Sequence, residues 1–180
     1  MVSSASLPAF KYHPDPVATG HIKNSDTVCV CCQQPKGYVY VGPVYGPSQL
    51  RDRLCPWCIA SGLAASRFQC FFCVEDSLLD AGLSRGIVIE VTRRTPGYNS
   101  WQQQDWLACC DDACEFHGDA TPGEVAAMAG ETLSHHLRQW RMTAERWREL
   151  LKVYEPGGGI SLFRFVCRHC RTAKYHLDFA

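Results

Sequence analysis

Short apolar runs, rather than long periodic ones, mark most of this chain. Tyr38-Val-Tyr-Val41 and Ile87-Val-Ile-Glu-Val91 are rich in β-branched and aromatic residues and predict strands. Leu162-Phe-Arg-Phe-Val166 alternates and predicts another strand, with Tyr175–Phe179 as its hairpin partner. The small apolar stretch from Ile59 to Ser66 predicts a short helix. Between 121 and 154 the period lengthens: Leu133, Leu137, Trp140, Trp147, Leu150, Leu151 and Tyr154 recur at helical spacing. Thr121-Pro-Gly-Glu124 reads as a capping box with proline at the first helical position. Gly130 reads as a stop and Thr143 as the cap of a separate last helix, which predicts two helices with a break near Arg141–Thr143. Glu155-Pro-Gly-Gly-Gly159 ends that region. Residues 1–27, with Pro8, Pro14 and Pro16, read as extended and polar. The class expected is α+β: short antiparallel strands with a helical insert over about 121–154, in one domain over 1–180. Its sub-regions are 1–94 and 95–180.

Composition changes this picture at one residue type. The chain has 180 residues and 12 cysteines, a count that means either a disulfide framework or metal sites. Met1–Gly20 has no apolar core of a signal peptide, and no run approaches the roughly 18 apolar residues of a membrane span. A cytoplasmic, reducing setting is therefore expected, and with it metal. Lys plus Arg equals Asp plus Glu at 18 each, which argues against generic nucleic-acid or membrane-surface binding.

Spacing assigns the ligands. Cys29-x-x-Cys32 and Cys55-Pro-Trp-Cys58, separated by residues 33–54, have the spacing of a zinc-ribbon-like four-cysteine site. Cys167-Arg-His-Cys170 lacks a neighbouring pair, and its best partner is Cys110-Asp-Asp-Ala-Cys114, with the helical region between them. Two structural zinc ions follow, held by Cys29, Cys32, Cys55 and Cys58 and by Cys110, Cys114, Cys167 and Cys170. Cys70-Phe-Phe-Cys73 has ligand spacing but sits in an apolar stretch and reads as packing. Cys31 and Cys109 adjoin ligands and could serve only as alternates. His117 and His169 lie beside complete pairs, and His135 and His136 read as surface residues. Cys-Pro-Trp-Cys also resembles a redox dithiol, but a second pair at ribbon distance favours metal. Four thiolates close a zinc shell, so the metal is read as structural and no catalytic residue is assigned.

Several short motifs occur in order: Phe10-Lys-Tyr-His-Pro-Asp-Pro16, Thr19-Gly20, Gly42-Pro-Val-Tyr45, Cys55-Pro-Trp-Cys-Ile59, Arg94-Thr-Pro-Gly-Tyr98, Trp101-Gln-Gln103, Trp106 and Cys110–Gly118. Together they resemble the CbrC family, a small bacterial group, over nearly the whole chain. The resemblance supports the eight ligands above and departs at Cys70, Cys73 and Cys109. It implies a role in resisting a bacterial toxin.

Charge suggests how. No Lys or Arg occurs between Arg94 and Arg138, while Asp105, Asp111, Asp112, Glu115, Asp119, Glu124 and Glu131 do. A face built on Asp111, Asp112, Glu115 and Asp119 is expected to bind a basic protein partner, such as a toxin nuclease. An enzyme with a pocket around His13, Asp15 and Arg94 is the alternative, although no small-molecule substrate is identified. A nucleic-acid-binding ribbon using Arg164, Arg168, Arg171 and Lys174 is a further alternative, disfavoured by the neutral net charge.

Overall fold

The computed structural model describes residues 6–180, so the expectation of an extended segment over 1–27 lies outside the described residues at its first five positions. Three small antiparallel sheets, seven α-helices and one short 3-10 helix organise three apolar cores among the described residues.

The N-terminal part pairs β1 (Ile22–Asn24) with β2 (Tyr38–Tyr40), Ile22 opposite Tyr40. Helices α1 (Pro56–Ala60) and α2 (Leu63–Phe68) follow, with a left-handed Gly62 between them. Their buried residues join Phe10, Ile22, Tyr40, Leu50 and Leu54 around the first cysteine group.

Helices α3 (Asp76–Asp80) and α4 (Arg85–Arg94) come next. The strand expected over 87–91 is thus a helix. The buried residues are Val88, Val91 and Thr92, a helical stripe, while Ile89 on the alternating face stays exposed. The β-branched run is overridden by a partner surface that matches a 3.6 period. The Arg94–Tyr98 motif then locks two cores together. Thr95 Oγ1 donates to Glu90 O at 2.8 Å, and Gly97 N–H donates to the buried Tyr40 hydroxyl at 3.1 Å. A Cβ on Gly97 would fall 1.8 Å from the Phe72 carbonyl oxygen, so only glycine fits this close approach. Tyr98 stacks on Phe116 at 4.5 Å in the central aromatic core.

The C-terminal part holds a tight hairpin, β3 (Ala108–Cys109) with β4 (Asp112–Ala113), and a sheet ordered β5 (Glu115–Asp119), β6 (Ile160–Val166), β7 (Ala173–Phe179). β6 serves two cores, as its alternation requires. Phe163 and Phe165 enter the central core, and Leu162 faces the third. That third core lies under α5 (Pro122–Ala127), α6 (Gly130–Gln139) and α7 (Ala144–Val153). The Thr121 capping box and the Thr143 cap are formed, and the chain breaks at Arg141, whose φ is +51°. Gly130 differs from expectation. The first helix ends at Ala127, and Gly130, with φ +60°, opens α6, so the insert holds three helices. His136 is buried against Trp140 rather than on the surface.

Candidate metal centres

The first group forms where a turn meets a helix start. Cys29–Cys32 is a knuckle: Gln33 N–H donates to Cys29 O at 2.8 Å, and Cys29 N–H donates to Gln34 O at 3.0 Å, with Gln33 left-handed. Cys55 is the N-cap of α1, Pro56 sits at its first position and Cys58 lies one turn in. Cys29, Cys32, Cys55 and Cys58 place their sulfurs within 4.8 Å of one another. Cys29–Cys58 is 3.9 Å and Cys32–Cys55 is 3.8 Å. Bonds of about 2.3 Å in a tetrahedron put sulfurs about 3.8 Å apart, so the group fits one ion of zinc's size. Cys55 N–H also donates to Cys29 Sγ at 3.2 Å. The Cys55 thiol, then backbone N–H groups of Cys32, Cys55 and Cys31, hold the Cys29 thiol down at about 4, against burial. Burial pushes the Cys58 thiol up, and the neighbouring Cys29 sulfur pushes up Cys55. Four thiolates held this close need a cation among them.

The second group repeats the knuckle. Arg171 N–H donates to Cys167 O at 3.1 Å and Cys167 N–H to Thr172 O at 2.9 Å, again with a left-handed residue, Arg171, after the second cysteine. Its partners are Cys109 and Cys110. Cys109 pairs with Asp112 at the end of the β3–β4 hairpin, and the two turn residues, Cys110 and Asp111, have φ +53° and +54°. That is the doubly left-handed two-residue turn that suits a hairpin's twist. The sulfurs of Cys109, Cys110, Cys167 and Cys170 lie within 4.8 Å of one another, with Cys109 at 3.8 Å from both Cys110 and Cys170. The Thr172 hydroxyl and N–H beside Cys170 hold its thiol at about 6, and the shared sulfurs of Cys109, Cys167 and Cys170 push Cys110 up to about 12.

One expected ligand changes. Cys114 is fully buried in the central core, its N–H on Leu107 O and its carbonyl accepting from Trp106 Nε1 at 2.9 Å. Burial pushes its thiol up to about 12. The structure thus brings Cys109, Cys110, Cys167 and Cys170 together and leaves Cys114 out. The Cys110–Cys114 loop contains a strand, β4, which carries residue 114 away from the turn. The signal available in the sequence was the adjacent pair Cys109-Cys110 followed by Asp111-Asp112, a turn composition. Cys70 lies in the first core and Cys73 in the central one, so that pair does not converge on one point.

The charged residues are used internally. Asp112 is buried. It accepts from the Tyr12 hydroxyl at 2.5 Å and Arg168 Nη1 at 2.9 Å, and its Oδ2 lies 3.1 Å from His169 Nε2. Burial alone would raise its carboxyl, but those hydrogen bonds hold it below the usual range. Glu115 pairs with Arg171 at 3.2 Å, and Arg164 pairs with Glu124 at 2.9 Å. Asp119 is half-buried and accepts from Gly157 N–H at 2.8 Å. Of the four carboxylates expected to face a partner, Asp111 is the exposed one. Three carboxylates of the acidic interval, Asp112, Glu115 and Glu124, are thus paired with Arg168, Arg171 and Arg164 of the C-terminal part.

His13, Asp15 and Arg94 are occupied separately. His13 is buried, bonded through Nδ1 to Pro96 O at 2.8 Å and through Nε2 to Thr19 Oγ1 at 2.6 Å. Asp15 accepts from Ala18 N–H, and Arg94 donates to Ala60 O. His21 bonds Thr19 Oγ1 and accepts from Asn99 N–H. Burial holds His13 down at about 3 and His21 at about 4.

Fold and site together define a protein with two four-cysteine groups compatible with zinc-ribbon-like modules, in a frame of helices and small antiparallel sheets. The chain belongs to the uncharacterised protein family UPF0167, whose model matches residues 7–179. It is 48% identical to a UPF0167 protein of Pseudomonas aeruginosa over 174 residues, 96% of this chain and 97% of that one. UPF0167 proteins of Mycobacterium bovis and Mycobacterium tuberculosis are each 38% identical over 176 residues, covering 97% of this chain and 94% of theirs. No solved structure matches the chain. No helix among the described residues is long and apolar enough to cross a membrane.

Proposed function

We propose that this is a zinc-scaffolded cytoplasmic binding protein, in which two structural metal centres fasten short elements into a surface for a protein partner. The observation that carries this reading is the gathering of eight free thiols into two groups of four, each built on a Cys-x-x-Cys knuckle. Thiolate-only tetrahedral sets suit zinc, and a closed shell leaves no position for a substrate. Elemental analysis of protein purified under reducing conditions should give about two zinc ions per chain. A metal-free preparation that is fully folded, or one with disulfides across these pairs, would overturn it.

The resemblance to the CbrC family supports a cellular role in protection against a toxin, through protein binding. Charge supports the Asp111, Asp112, Glu115 and Asp119 face only at Asp111, because the others hold internal partners. Deleting the gene in its host and challenging with nuclease toxins tests the role directly. Unchanged survival across them would remove the toxin reading and leave the zinc scaffold standing.

A further inference from the structure

The outer strand of the C-terminal sheet is left with an open edge lying in a groove. Among the described residues β7 pairs with β6 alone. The bond from Cys167 N–H to Thr172 O sets the phase of that pairing, as does Ala180 N–H to Gly159 O at the far end. By alternation, Thr172, Lys174, His176 and Asp178 bond to β6, and the peptide groups of Ala173, Tyr175 and Leu177 point outward. An exposed edge of this kind is a template for another strand, and it is usually blunted by a proline, a bulge or a short length. β7 runs seven residues in continuous register, with none of these.

The surroundings of that edge are concave. Cavities of about 430, 590 and 420 Å³ line it from Thr172 to His176. Helix α6 forms one wall and residues 105–108 the other, and Leu107, Ala108 and Tyr175 make part of the lining apolar. His136 lines the widest part. It is 7% exposed, and its Nδ1 is buried without a hydrogen-bond partner among the described residues. At the end beside His176 the lining carries Asp76, Asp80 and Asp105, with no Lys or Arg among the described residues there. Asp76 and Asp80 are exposed.

We infer that this groove docks an extended peptide segment of a partner protein, pairing as a fourth strand on β7 and placing a Lys or Arg at the Asp76–Asp80–Asp105 end. The inference rests on the reading of this chain as a binding protein and supplies its contact surface. Main-chain hydrogen bonds to Ala173, Tyr175 and Leu177 would give affinity, and alternate side chains would meet the apolar part of the lining. The five residues from Thr172 to His176 that line the groove span about 16 Å, room for a segment of similar length. A folded acidic or neutral surface would satisfy neither the strand edge nor the carboxylates.

The test selects twelve-residue peptides from a random displayed library on the zinc-loaded protein. Enriched sequences should alternate apolar residues and carry Lys or Arg towards one end. The best peptide should weaken about tenfold or more when alternate backbone nitrogens are methylated, and by a similar factor against Asp80→Lys, an exposed change away from both metal groups. Amide resonances of Ala173, Tyr175 and Leu177 should shift on binding. No enrichment, indifference to N-methylation, or shifts confined to another face would overturn the groove. A native partner that holds the Asp80→Lys protein as tightly as the parent would also overturn it, while the binding-protein reading survived.

Discussion

The two cysteine groups share a knuckle and differ in everything around it. In the first, three of four cysteines are buried, and the apolar core formed by Phe10, Ile22, Tyr40, Leu50 and Leu54 closes over them. In the second, Cys110 and Cys170 are exposed, Cys109 is partly so, and only Cys167 reaches the core. The first group is thus the centre of a module, whereas the second is a surface clasp between a hairpin turn and the end of the β6–β7 connection. A buried group should be needed for folding, because zinc binding there is folding energy. A surface group should be more open to exchange and less costly to lose, since two of its four cysteines lie at the surface.

The largest effect should come from Cys55→Ser, which removes a ligand at the start of α1. Apparent zinc binding energies of ~10–16 kcal/mol in small modules match or exceed the usual stability of a domain, so the N-terminal part should lose cooperative unfolding and the chain should become insoluble or protease-sensitive. Limited proteolysis with mass spectrometry reads this; a fully protected N-terminal part would break the contrast. Cys109→Ser should instead release one zinc of two and leave the N-terminal part folded, with a thermal midpoint lower by several degrees. A thiol-competitive chelator should likewise take the second zinc well before the first, followed by metal release against near-UV dichroism. Simultaneous loss of both ions would show that exposure does not set their order.

Acid sharpens the comparison by separating metal loss from unfolding. His13 and His21 lie outside both groups and are held at about 3 and about 4, far below an unfolded histidine. Their folded values are depressed, so the stability they contribute is whole above pH 6.5. It falls as pH drops towards 4, because the unfolded chain takes up protons that the folded chain refuses. From pH 6.5 to 5, His21 alone should cost about 2 kcal/mol. Denaturant melts of the parent and of His21→Asn at matched zinc content should show the parent losing more stability. Equal slopes would place acid sensitivity wholly in the thiolates. The smallest effect belongs to Cys114→Ala, which should cost about 1 kcal/mol of packing and leave two zinc ions bound. A fall to one ion would return Cys114 to the ligand set in place of Cys109.

Much of this was legible in the residues. Cys-x-x-Cys spacing announces a knuckle because the turn that places two sulfurs together is local, and Cys29–Cys32 and Cys167–Cys170 form the same hydrogen bonds. The capping box at Thr121 and the alternation of Leu162–Val166 are local in the same sense, and each forms where the pattern puts it. The positions that needed the folded molecule are those where two elements compete for one residue. Ile87–Val91 has strand composition, yet α4 forms because the central core offers a surface that fits Val88 and Val91. Cys109 and Cys114 are both within reach of the turn at 110–111. The choice between them was made by β4, which turns residue 114 inward against Trp106 and leaves Cys109 facing Cys170. Charge followed the same rule. The run free of Lys and Arg is plain along the chain, but only folding brings Arg168 and Arg171 onto Asp112 and Glu115, because sequence order carries no information on which surfaces close against each other.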